Sequence, residues 1–378
     1  VTTRNEPGAL FNVLEPLKTN GVNLSKLESR PTRKTVWSYA FYIDIDGHQD
    51  DAHISRALTE LRDKDISVRV LGSYPVSAIV YEEMQFKQAL PELLLDKKIV
   101  IIGLGLIGGS IAKALYGHGN LSAVDSSVAA LEAAQQNNII QGYSTNAGEI
   151  CQDADLIIIA VPGLSVEGIL QQLADNIKPE CILTDVSSVK QPTLNALQSV
   201  FTEIPANFVP GHPIAGSEQS GFQAASAELF VAHRVILTPM PDTDPAALSL
   251  VETLWQTCGA EVLRMDVTEH DKVLAATSHV PHLLAYALVD TLSQQGTSEE
   301  IFRYAAGGFR DFTRIASSDP QMWHDIFISN ADAISVILKD FEAEIGELKQ
   351  ALKMGDSNKV MTILQRAKLS RDKFLNKK

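Results

Sequence analysis

The sequence predicts an α/β protein in which a mostly parallel sheet, with helices on both faces, lies between a smaller α/β unit and a helical region. Apolar strands alternate with helical segments from Lys97 to about Asp266, and strand signals stop beyond that point. Before about Tyr81, strands and helices alternate on a shorter scale. The 378 residues leave room for two or three domains of about 150 residues each.

The first unit, residues 1–80, has the predicted order strand, helix, strand, strand, helix, strand, which is a split βαβ arrangement. Apolar spacing and turn residues predict these elements at Val1–Arg4, Leu10–Leu17, Val22–Glu28, Val36–Asp44, Ile54–Leu61 and Ser67–Leu71. The opening strand is so short that we expect the chain to be cut from something longer. Residues 81–96 are polar and mixed, and we interpret them as a linker or a short connecting helix.

The second unit, residues 97–266, contains the parallel sheet. Its strands are predicted at Ile99–Ile102, Leu121–Val124, Leu156–Val161, Ile182–Asp185, Phe208–Val209 and Val235–Thr238. The third unit, residues 267–378, has helical patterns at His270–Leu292, Pro320–Leu352 and Asp356–Phe374. These helices have apolar stripes that the third unit cannot bury by itself, so we expect it to pack against the sheet and against a second copy, as a homodimer.

Composition excludes several classes of protein. With 32 Lys and Arg against 46 Asp and Glu, the net charge is −14, so nucleic acid and anionic membranes are poor partners. The three cysteines, Cys151, Cys181 and Cys258, have neither disulfide-framework nor zinc-site spacing. No apolar stretch approaches the roughly 20 residues of a spanning helix, and no signal-peptide pattern is present, so a cytoplasmic protein is expected.

A glycine motif predicts the cofactor site. Gly103-Leu104-Gly105-Leu106-Ile107-Gly108 follows an apolar strand and enters a helix, which is the setting that dinucleotide binding requires. The first glycine allows the tight turn, the second lets the backbone approach the pyrophosphate, and the third lets helix and strand pack closely. The first amides of the helix would then face the phosphates.

Asp125 determines which dinucleotide we expect. It ends the next predicted strand, 22 residues after Gly103, where a carboxylate accepts hydrogen bonds from a ribose 2′-hydroxyl and repels a 2′-phosphate. Ser126, Ser127 and Val128 supply no cation for such a phosphate. NAD is therefore favoured over NADP. The alternative is a glycine-rich turn that binds nothing, with Asp125 as a surface residue.

His212 is the candidate base. It lies in the segment Gly211–Glu218, which follows a predicted strand and is interpreted as a loop. Loops at the carboxyl ends of parallel strands face the ligand crevice, and the ordinary pKa of histidine suits proton transfer near neutral pH. The alternative is a surface or structural histidine.

Four motifs in order resemble the prephenate/arogenate dehydrogenases of tyrosine biosynthesis. They are Gly211-His-Pro-Ile-Ala-Gly-Ser-Glu218, Ser278-His-Val-Pro-His282, Gly307-Gly-Phe-Arg-Asp-Phe-Thr-Arg-Ile-Ala316 and Pro320-Gln-Met-Trp323. The resemblance covers about Lys97 to the end. It implies a Rossmann-type NAD domain followed by an all-helical dimerisation domain. It also implies oxidative decarboxylation of prephenate to 4-hydroxyphenylpyruvate, with arogenate as an alternative substrate.

The resemblance implies a role for each matching residue. His212 would take the proton of the substrate 4-hydroxyl, and Ser188 would orient His212 near the nicotinamide, although Ser187 stands where the family often has glycine. Arg314 would bind a substrate carboxylate, with Arg310 as its rival. The remaining assigned residues are His282, Gly307, Trp323 and Asp271 for substrate, and Gly103, Leu104, Gly105, Leu106, Ile107, Gly108, Asp125, Val161, Pro162 and Ser187 for NAD.

Three of these assignments have competing interpretations. Asp271 and Trp323 match family positions near the substrate entrance, but they could equally be a capping carboxylate and a core aromatic residue. The pair His279 and His282 has a spacing that also occurs in metal sites. No third ligand lies at a suitable spacing, so we reject a metal and assign His279 a structural role.

The first unit resembles ACT domains, specifically the phenylalanine-responsive one of prephenate dehydratases, and the resemblance implies a ferredoxin-like βαββαβ fold. The matching stretches are Asn5–Leu10, Gly21–Leu24, Glu28–Pro31 and Leu71–Pro75. The resemblance implies feedback by phenylalanine or tyrosine. The implied effector residues are Gly8, Ala9, Leu10, Asn23, Glu28, Ser29 and Arg30. The alternative is a purely structural dimerising unit.

Two other functions were weighed. A β-hydroxyacid dehydrogenase would share the glycine motif and a helical tail, but it has no place for the Gly211–Glu218 motif or for the run from Arg310 to Arg314. A metabolite sensor would bind ligands without turnover, and the set His212, Ser188 and Arg314 argues against it. No chorismate mutase helical bundle precedes Lys97, so that activity is not expected.

Overall fold

The computed structural model of the chain describes residues 1–3, 9–31, 39–64, 66–73, 92–217, 219–295 and 302–375. The chain forms two compact units, Val1–Met84 and Gln85–Lys378, and each is described by itself. Gly8 and the linker up to residue 91 lie outside the described residues, as do the side chains of Glu28, Ser29 and Arg30.

The first unit is a small antiparallel sheet packed against two helices. Its elements are β1 (Thr2–Thr3), α1 (Ala9–Thr19), β2 (Leu24–Pro31), β3 (Tyr39–Ile45) and α2 (Ala52–Asp63), with strand order β1-β3-β2. Apolar residues spaced three or four apart on the helices form a shared core, in which Val13, Leu17, Ile54 and Leu61 are buried. Gly21 has a φ of +68° at the end of α1, a conformation that favours glycine.

The predicted strand Ser67–Leu71 is not formed in the described residues. Ser67 makes an isolated bridge, and residues 68–73 have no regular structure. Val68 packs against the core of the unit, whereas Val70 and Leu71 are exposed. The ferredoxin-like order is therefore present up to its second helix.

The second unit is built around a parallel six-stranded sheet of order β6-β5-β4-β7-β8-β9. Its strands are β4 (Lys98–Ile102), β5 (Asn120–Val124), β6 (Gly142–Ser144), β7 (Leu156–Ile159), β8 (Ile182–Asp185) and β9 (Phe208–Val209). The helices in this part are α3 (Glu92–Leu95), α4 (Leu106–Ala114), α5 (Val128–Gln136), α6 (Ala147–Ile150), α7 (Val166–Leu173), α8 (Lys190–Phe201) and α9 (Pro245–Thr257).

Helices cover both faces of this sheet, which explains why its central strands are apolar throughout. In β4, Ile99 and Ile101 belong to one core cluster, whereas Val100 and Ile102 belong to another. Successive side chains of a strand point to opposite faces, so the two clusters lie on opposite sides of the sheet. The prediction of a doubly covered parallel sheet is confirmed.

A second sheet of three strands was not predicted. It consists of β10 (Gly211–Ile214), β11 (Arg234–Leu237) and β12 (Glu261–Arg264), in the order β10-β11-β12. The strand predicted near Val235 therefore lies outside the parallel sheet. The interpretation of Gly211–Glu218 as a loop is wrong for its first four residues, because β10 pairs antiparallel with β11. As an edge strand, β10 tolerates the missing amide hydrogen of Pro213.

The rest of the unit is helical, as predicted. Its helices are α10 (Val267–Leu274), α11 (Val280–Ser293), α12 (Gly307–Thr313), α13 (Pro320–Ser329), α14 (Ala331–Met354) and α15 (Ser357–Leu375). A π-helical turn, Ala275–His279, joins α10 to α11 just before Pro281, which has no amide hydrogen to donate within a regular helix. None of the helices in the described ranges combines the length and apolar character needed to cross a membrane.

The long helix predicted over Pro320–Leu352 is interrupted. Asn330 ends α13, and α14 begins at the next residue. The Asn330 side chain points into the protein, where its Nδ2 donates to the backbone oxygen of Asp271 at 2.8 Å and to Nδ1 of His279 at 3.0 Å. These contacts depend on tertiary packing, so helical periodicity could not reveal the break.

Candidate active site

The glycine turn between β4 and α4 has the shape of a dinucleotide cradle. Gly103 has a φ of +97°, and a Cβ there would lie 2.4 Å from the backbone oxygen of Ala160. A Cβ on Gly108 would lie 1.9 Å from the backbone oxygen of Gly103, so any larger residue would separate strand and helix. Gly105 faces open space, because a Cβ there would meet no atom within 4 Å. The turn therefore leaves room for pyrophosphate at the N-terminus of α4.

Asp125 lies beside this turn at the end of β5. Its Oδ2 accepts from the amide of Leu104 at 2.6 Å, and its Oδ1 accepts from the amide of Ser127 at 2.7 Å. These two bonds hold a carboxylate next to the glycine turn, where it can accept from ribose hydroxyls and would repel a 2′-phosphate. The geometry fits NAD.

The other predicted cofactor residues border the same turn. Leu106 and Ile107 begin α4, whereas the Leu104 side chain is buried and only its backbone can face a ligand. Val161 follows β7, and its Cγ1 lies 3.2 Å from the position that a Cβ of Gly103 would take. Pro162 comes next and precedes a short 3₁₀ turn, Gly163–Ser165.

Ser187 and Ser188 follow β8 at the carboxyl edge of the sheet. The Ser187 amide donates to Asp185 at 3.1 Å, and its hydroxyl is buried without a partner in the described structure. Ser188 is half-buried, and among the described residues its hydroxyl makes no hydrogen bond. The orienting bond from Ser188 to His212 that the resemblance implied is therefore not formed here.

His212 is instead held by a residue that the sequence analysis missed. It is the second residue of β10, only 8% exposed, and its Nδ1 lies 2.9 Å from Nε2 of His270. His270 in turn bonds through Nδ1 to Oδ1 of Asp271 at 2.8 Å. His270 and Asp271 are neighbours at the start of the third predicted unit, and that adjacency was the only signal in the sequence.

The carboxylate of Asp271, which was assigned to substrate, is engaged by groups of the chain itself. Its Oδ1 accepts from the amide of Lys190 at 2.9 Å, and its Oδ2 accepts from the amide of Gln191 at 3.0 Å. Together with His270, these donors occupy the carboxylate, which is 7% exposed. Asp271 thus caps the N-terminus of α8, in agreement with the capping alternative.

A buried ion pair anchors the strand that carries His212. Nζ of Lys190 donates to Oδ2 of Asp185 at 2.7 Å and to the backbone oxygen of Gly211 at 2.5 Å. The Gly211 amide donates to Oδ1 of Asp185 at 3.1 Å. Both charged side chains are fully buried. The pair therefore ties β8, α8 and the start of β10 together and fixes the backbone on one side of His212.

The surroundings of His212 keep it unprotonated. Burial lowers the pKa of His212 well below its ordinary value, and the nearby His270, Lys190 and His279 lower it further. An imidazolium is costly in such a site because the low dielectric and the neighbouring charge of Lys190 both disfavour it. The neutral form is the one that can accept a proton.

His282, Trp323 and Arg314 form the second half of the site. The rings of His282 and Trp323 stack with centroids 3.7 Å apart, and Trp323 also lies near His279 with centroids 6.3 Å apart. Nδ1 of His282 donates to the backbone oxygen of Ser278 at 2.8 Å. Burial lowers the pKa of His282, and the charge of Arg314 adds to this effect.

Trp323 also connects the two halves of the site. It packs in a small core with Val189, which directly follows Ser188. Its indole Nε1 and Nε2 of His279 are buried without a partner in the described part of the chain. Gly307 begins α12, with open space around the position of a Cβ. Within the described ranges, no three His, Cys, Asp or Glu side chains are arranged to hold a metal ion.

Family models match most of the chain. Residues 111–264 match the prephenate dehydrogenase nucleotide-binding domain, and residues 266–366 match the prephenate dehydrogenase dimerization domain. Residues 1–63 match the ACT domain.

Individual relatives agree with these matches. A cyclohexadienyl dehydrogenase of Zymomonas mobilis is 36% identical over 69% of this chain and 90% of its own length. The crystal structure of an Aquifex aeolicus prephenate dehydrogenase with hydroxyphenyl propionate and NAD+ has a TM-score of 0.68 at 33% identity, covering 74% of this chain and 99% of that one. A bifunctional chorismate mutase/prephenate dehydratase of Aquifex aeolicus is 46% identical over 19% of this chain and 20% of its own.

Proposed function

The chain belongs to the family of NAD-dependent prephenate dehydrogenases, and we propose that it converts prephenate to 4-hydroxyphenylpyruvate with His212 as the base. The observation that carries this proposal is a buried, neutral imidazole that follows the sheet strand β9, in the same unit as the glycine turn that fits NAD. The earlier expectation of a dehydrogenase with NAD as its cofactor is confirmed by the family.

The chemistry determines what the site must supply. When the 4-hydroxyl gives its proton to His212, the electrons of the C4–H bond can leave as hydride, which the nicotinamide of NAD+ accepts when it is bound. The bond between C1 and the ring carboxylate breaks as CO2 leaves, and its electrons complete the aromatic ring. The proton then returns to the phenol oxygen, so atoms and charge balance.

Prephenate also carries two carboxylates, which need cationic or hydrogen-bonding partners. Arg314 is proposed to bind one of them, because its guanidinium can form two parallel bonds to a carboxylate and its charge is felt at His282. The buried Nε1 of Trp323 is proposed as a further donor. His282 has already donated its Nδ1 hydrogen to Ser278, so its Nε2 is proposed to face the substrate as an acceptor. Ser188, without a protein partner for its hydroxyl, is proposed to face substrate and nicotinamide rather than to orient His212.

Replacing His212 by Asn tests the base role directly. We expect turnover to fall by at least about a hundredfold, because general-base catalysis contributes about that much or more. The binding of NAD, measured by titration, should not change, because the glycine turn and Asp125 are untouched. Turnover close to that of the wild type would remove His212 from the base role.

The first unit is proposed to bind phenylalanine or tyrosine as a feedback effector. Asn23, one of the assigned effector residues, lines an open cavity of about 480 Å³ together with Leu14, Lys18 and Gly21. Its Nδ2 donates to Asp46 at 2.6 Å, so the side chain has a fixed position. Ala9 and Leu10 begin α1. Initial rates on prephenate and on arogenate, with and without each amino acid, test both the effector and the substrate preference.

A further inference from the structure

Asp271, His270 and His212 form a buried row of hydrogen bonds whose protons can be assigned. Asp271 accepts from the backbone amides of Lys190 and Gln191, which have only hydrogens to offer, so its carboxylate is an acceptor throughout. Although burial raises the pKa of Asp271, its bonds from His270, Lys190 and Gln191 leave it below the ordinary value. The ionised carboxylate therefore requires a proton on Nδ1 of His270.

That proton decides the state of the next ring. If this is the one hydrogen on its two ring nitrogens, His270 has a lone pair on Nε2, which lies 2.9 Å from Nδ1 of His212. The bond between the two rings then requires the hydrogen to be on Nδ1 of His212. The lone pair of His212 is consequently on Nε2, the nitrogen that the row leaves free.

We propose that His270 and Asp271 are positioning residues, which hold His212 in the tautomer whose Nε2 takes the substrate proton. This inference rests on the proposed base role of His212. As Nε2 gains the proton, the hydrogen on Nδ1 of His212 shifts towards Nε2 of His270, and the positive charge moves towards Asp271. The shift is reversed when the phenol recovers its proton, so no group is oxidised or reduced.

The groups around His212 explain why its positive charge would need to move through His270 towards Asp271. Lys190 faces His212 from α8 and disfavours a positive charge on its ring, whereas His279 faces it from the π-helical turn as a neutral ring. Asp185 is engaged with Lys190, Thr193 and two backbone amides. Asp271, reached through His270, is the negative group in hydrogen-bonded connection with the ring.

Substitutions at His270 separate this role from a merely structural one. His270→Phe keeps an aromatic ring at this position but removes both ring nitrogens. We expect kcat/KM to fall by about a hundredfold while the KM for NAD stays the same. His270→Gln keeps an acceptor near the position of Nε2 and should recover about tenfold of that loss. His324→Gln is the matched control, because His324 bonds to Asp325, its own neighbour, at 3.0 Å and its side chain is 59% exposed.

The tautomer can be observed without turnover. In the protein labelled with ¹⁵N-histidine, the signals of His212, assigned by their loss in His212→Asn, should report a protonated Nδ1 and an unprotonated Nε2 at neutral pH. In Asp271→Asn, the hydrogen of His212 should be on Nε2 and its Nδ1 should be unprotonated. The pH at which kcat/KM falls on the acid side of its profile should shift as well. Such an exchange in a His–Asp pair is known to be costly to catalysis. Thermal melting would show whether each variant is folded.

Two results would overturn the proposal and leave the base role intact. One is a wild-type His212 with its hydrogen on Nε2. The other is a folded His270→Phe protein with normal kcat/KM, when His212→Asn is inactive. If His212→Asn is itself active, the proposed function fails first, and the spectrum still decides whether the row controls the tautomer.

Discussion

At the scale of single residues, the site depends on buried histidines that stay neutral. His279 is 1% exposed, and its Nδ1 accepts from Asn330, so the neutral ring has its hydrogen on Nε2. Burial lowers the pKa of His279 from 6.5 to about 4, and nearby His270 and His282 add to this, whereas Asp271 opposes it. An unfolded chain would hold a proton there at mildly acidic pH, whereas the folded chain would not.

This difference predicts acid destabilisation. A group whose pKa is lower in the folded state stabilises the folded chain fully at pH values above its unfolded pKa. This stabilisation is lost as the pH falls towards the folded pKa. For His279 the stabilisation is lost between about pH 6.5 and about pH 4. Between pH 7 and pH 5, this residue alone should lower the free energy of unfolding by about 2 kcal/mol. Urea unfolding at the two pH values measures it.

His279→Gln provides the comparison. Glutamine does not titrate, so the variant should lose about 2 kcal/mol of the pH dependence seen in the wild type. His233→Gln, at an exposed position in a separate part of the unit, should keep that dependence. Parallel pH dependences in His279→Gln and the wild type would contradict the buried neutral state.

At the scale of elements, the glycine turn shows how one short motif combines two requirements. Gly108 is needed for packing, because a Cβ there would overlap the backbone oxygen of Gly103 at 1.9 Å. Packing does not require Gly105, because a Cβ there would meet no protein atom within 4 Å, and we propose that the ligand requires it instead. The motif would then contain one structural and one functional glycine.

Alanine substitutions should separate these two requirements. Gly108→Ala forces backbone to move and should lower the free energy of unfolding by about 1–3 kcal/mol. Gly105→Ala should leave the free energy of unfolding almost unchanged and weaken NAD binding at least about tenfold, about 1.4 kcal/mol, because its methyl group would meet the pyrophosphate. Urea unfolding and titration with NAD measure the two effects. Normal NAD affinity in Gly105→Ala would place the pyrophosphate elsewhere.

At the scale of the whole molecule, the helical region has more apolar surface than the chain itself covers. Phe341, Ile345 and Leu352 share one face of α14 and are 39%, 46% and 69% exposed. They lie within the residues that match the family's dimerization domain. We therefore propose that this face is part of the homodimer interface.

Light scattering tests this proposal. The wild type should have twice the mass of one chain, and Ile345→Asp should raise the dissociation constant at least about tenfold, because a charge would be buried at an apolar contact. Lys339→Asp changes charge on a different face of the same helix and should leave the dimer intact. A dimer unaffected by Ile345→Asp would place the interface on another surface.

The sequence by itself determined the properties that short segments carry. Periodic apolar residues predicted the parallel sheet and the helical region. The spacing of Gly103, Gly105, Gly108 and Asp125 indicated NAD. Both kinds of feature depend on neighbours within one or two elements, so the sequence alone contains them. The family motifs added the reaction. The limit appeared at the predicted strand Ser67–Leu71, where local β-propensity was present but the described residues form only an isolated bridge at Ser67.

Only the tertiary structure decided how the site is held together. His212 bonds to His270 across 58 positions, and Lys190 bonds to Asp271 across 81. Such contacts follow from packing between β10, α8 and α10, so no local pattern announces them. For the same physical reason, the structure placed His212 on an edge strand, gave Asp271 a capping role, and broke the helix at Asn330, whose side chain bonds to buried polar groups.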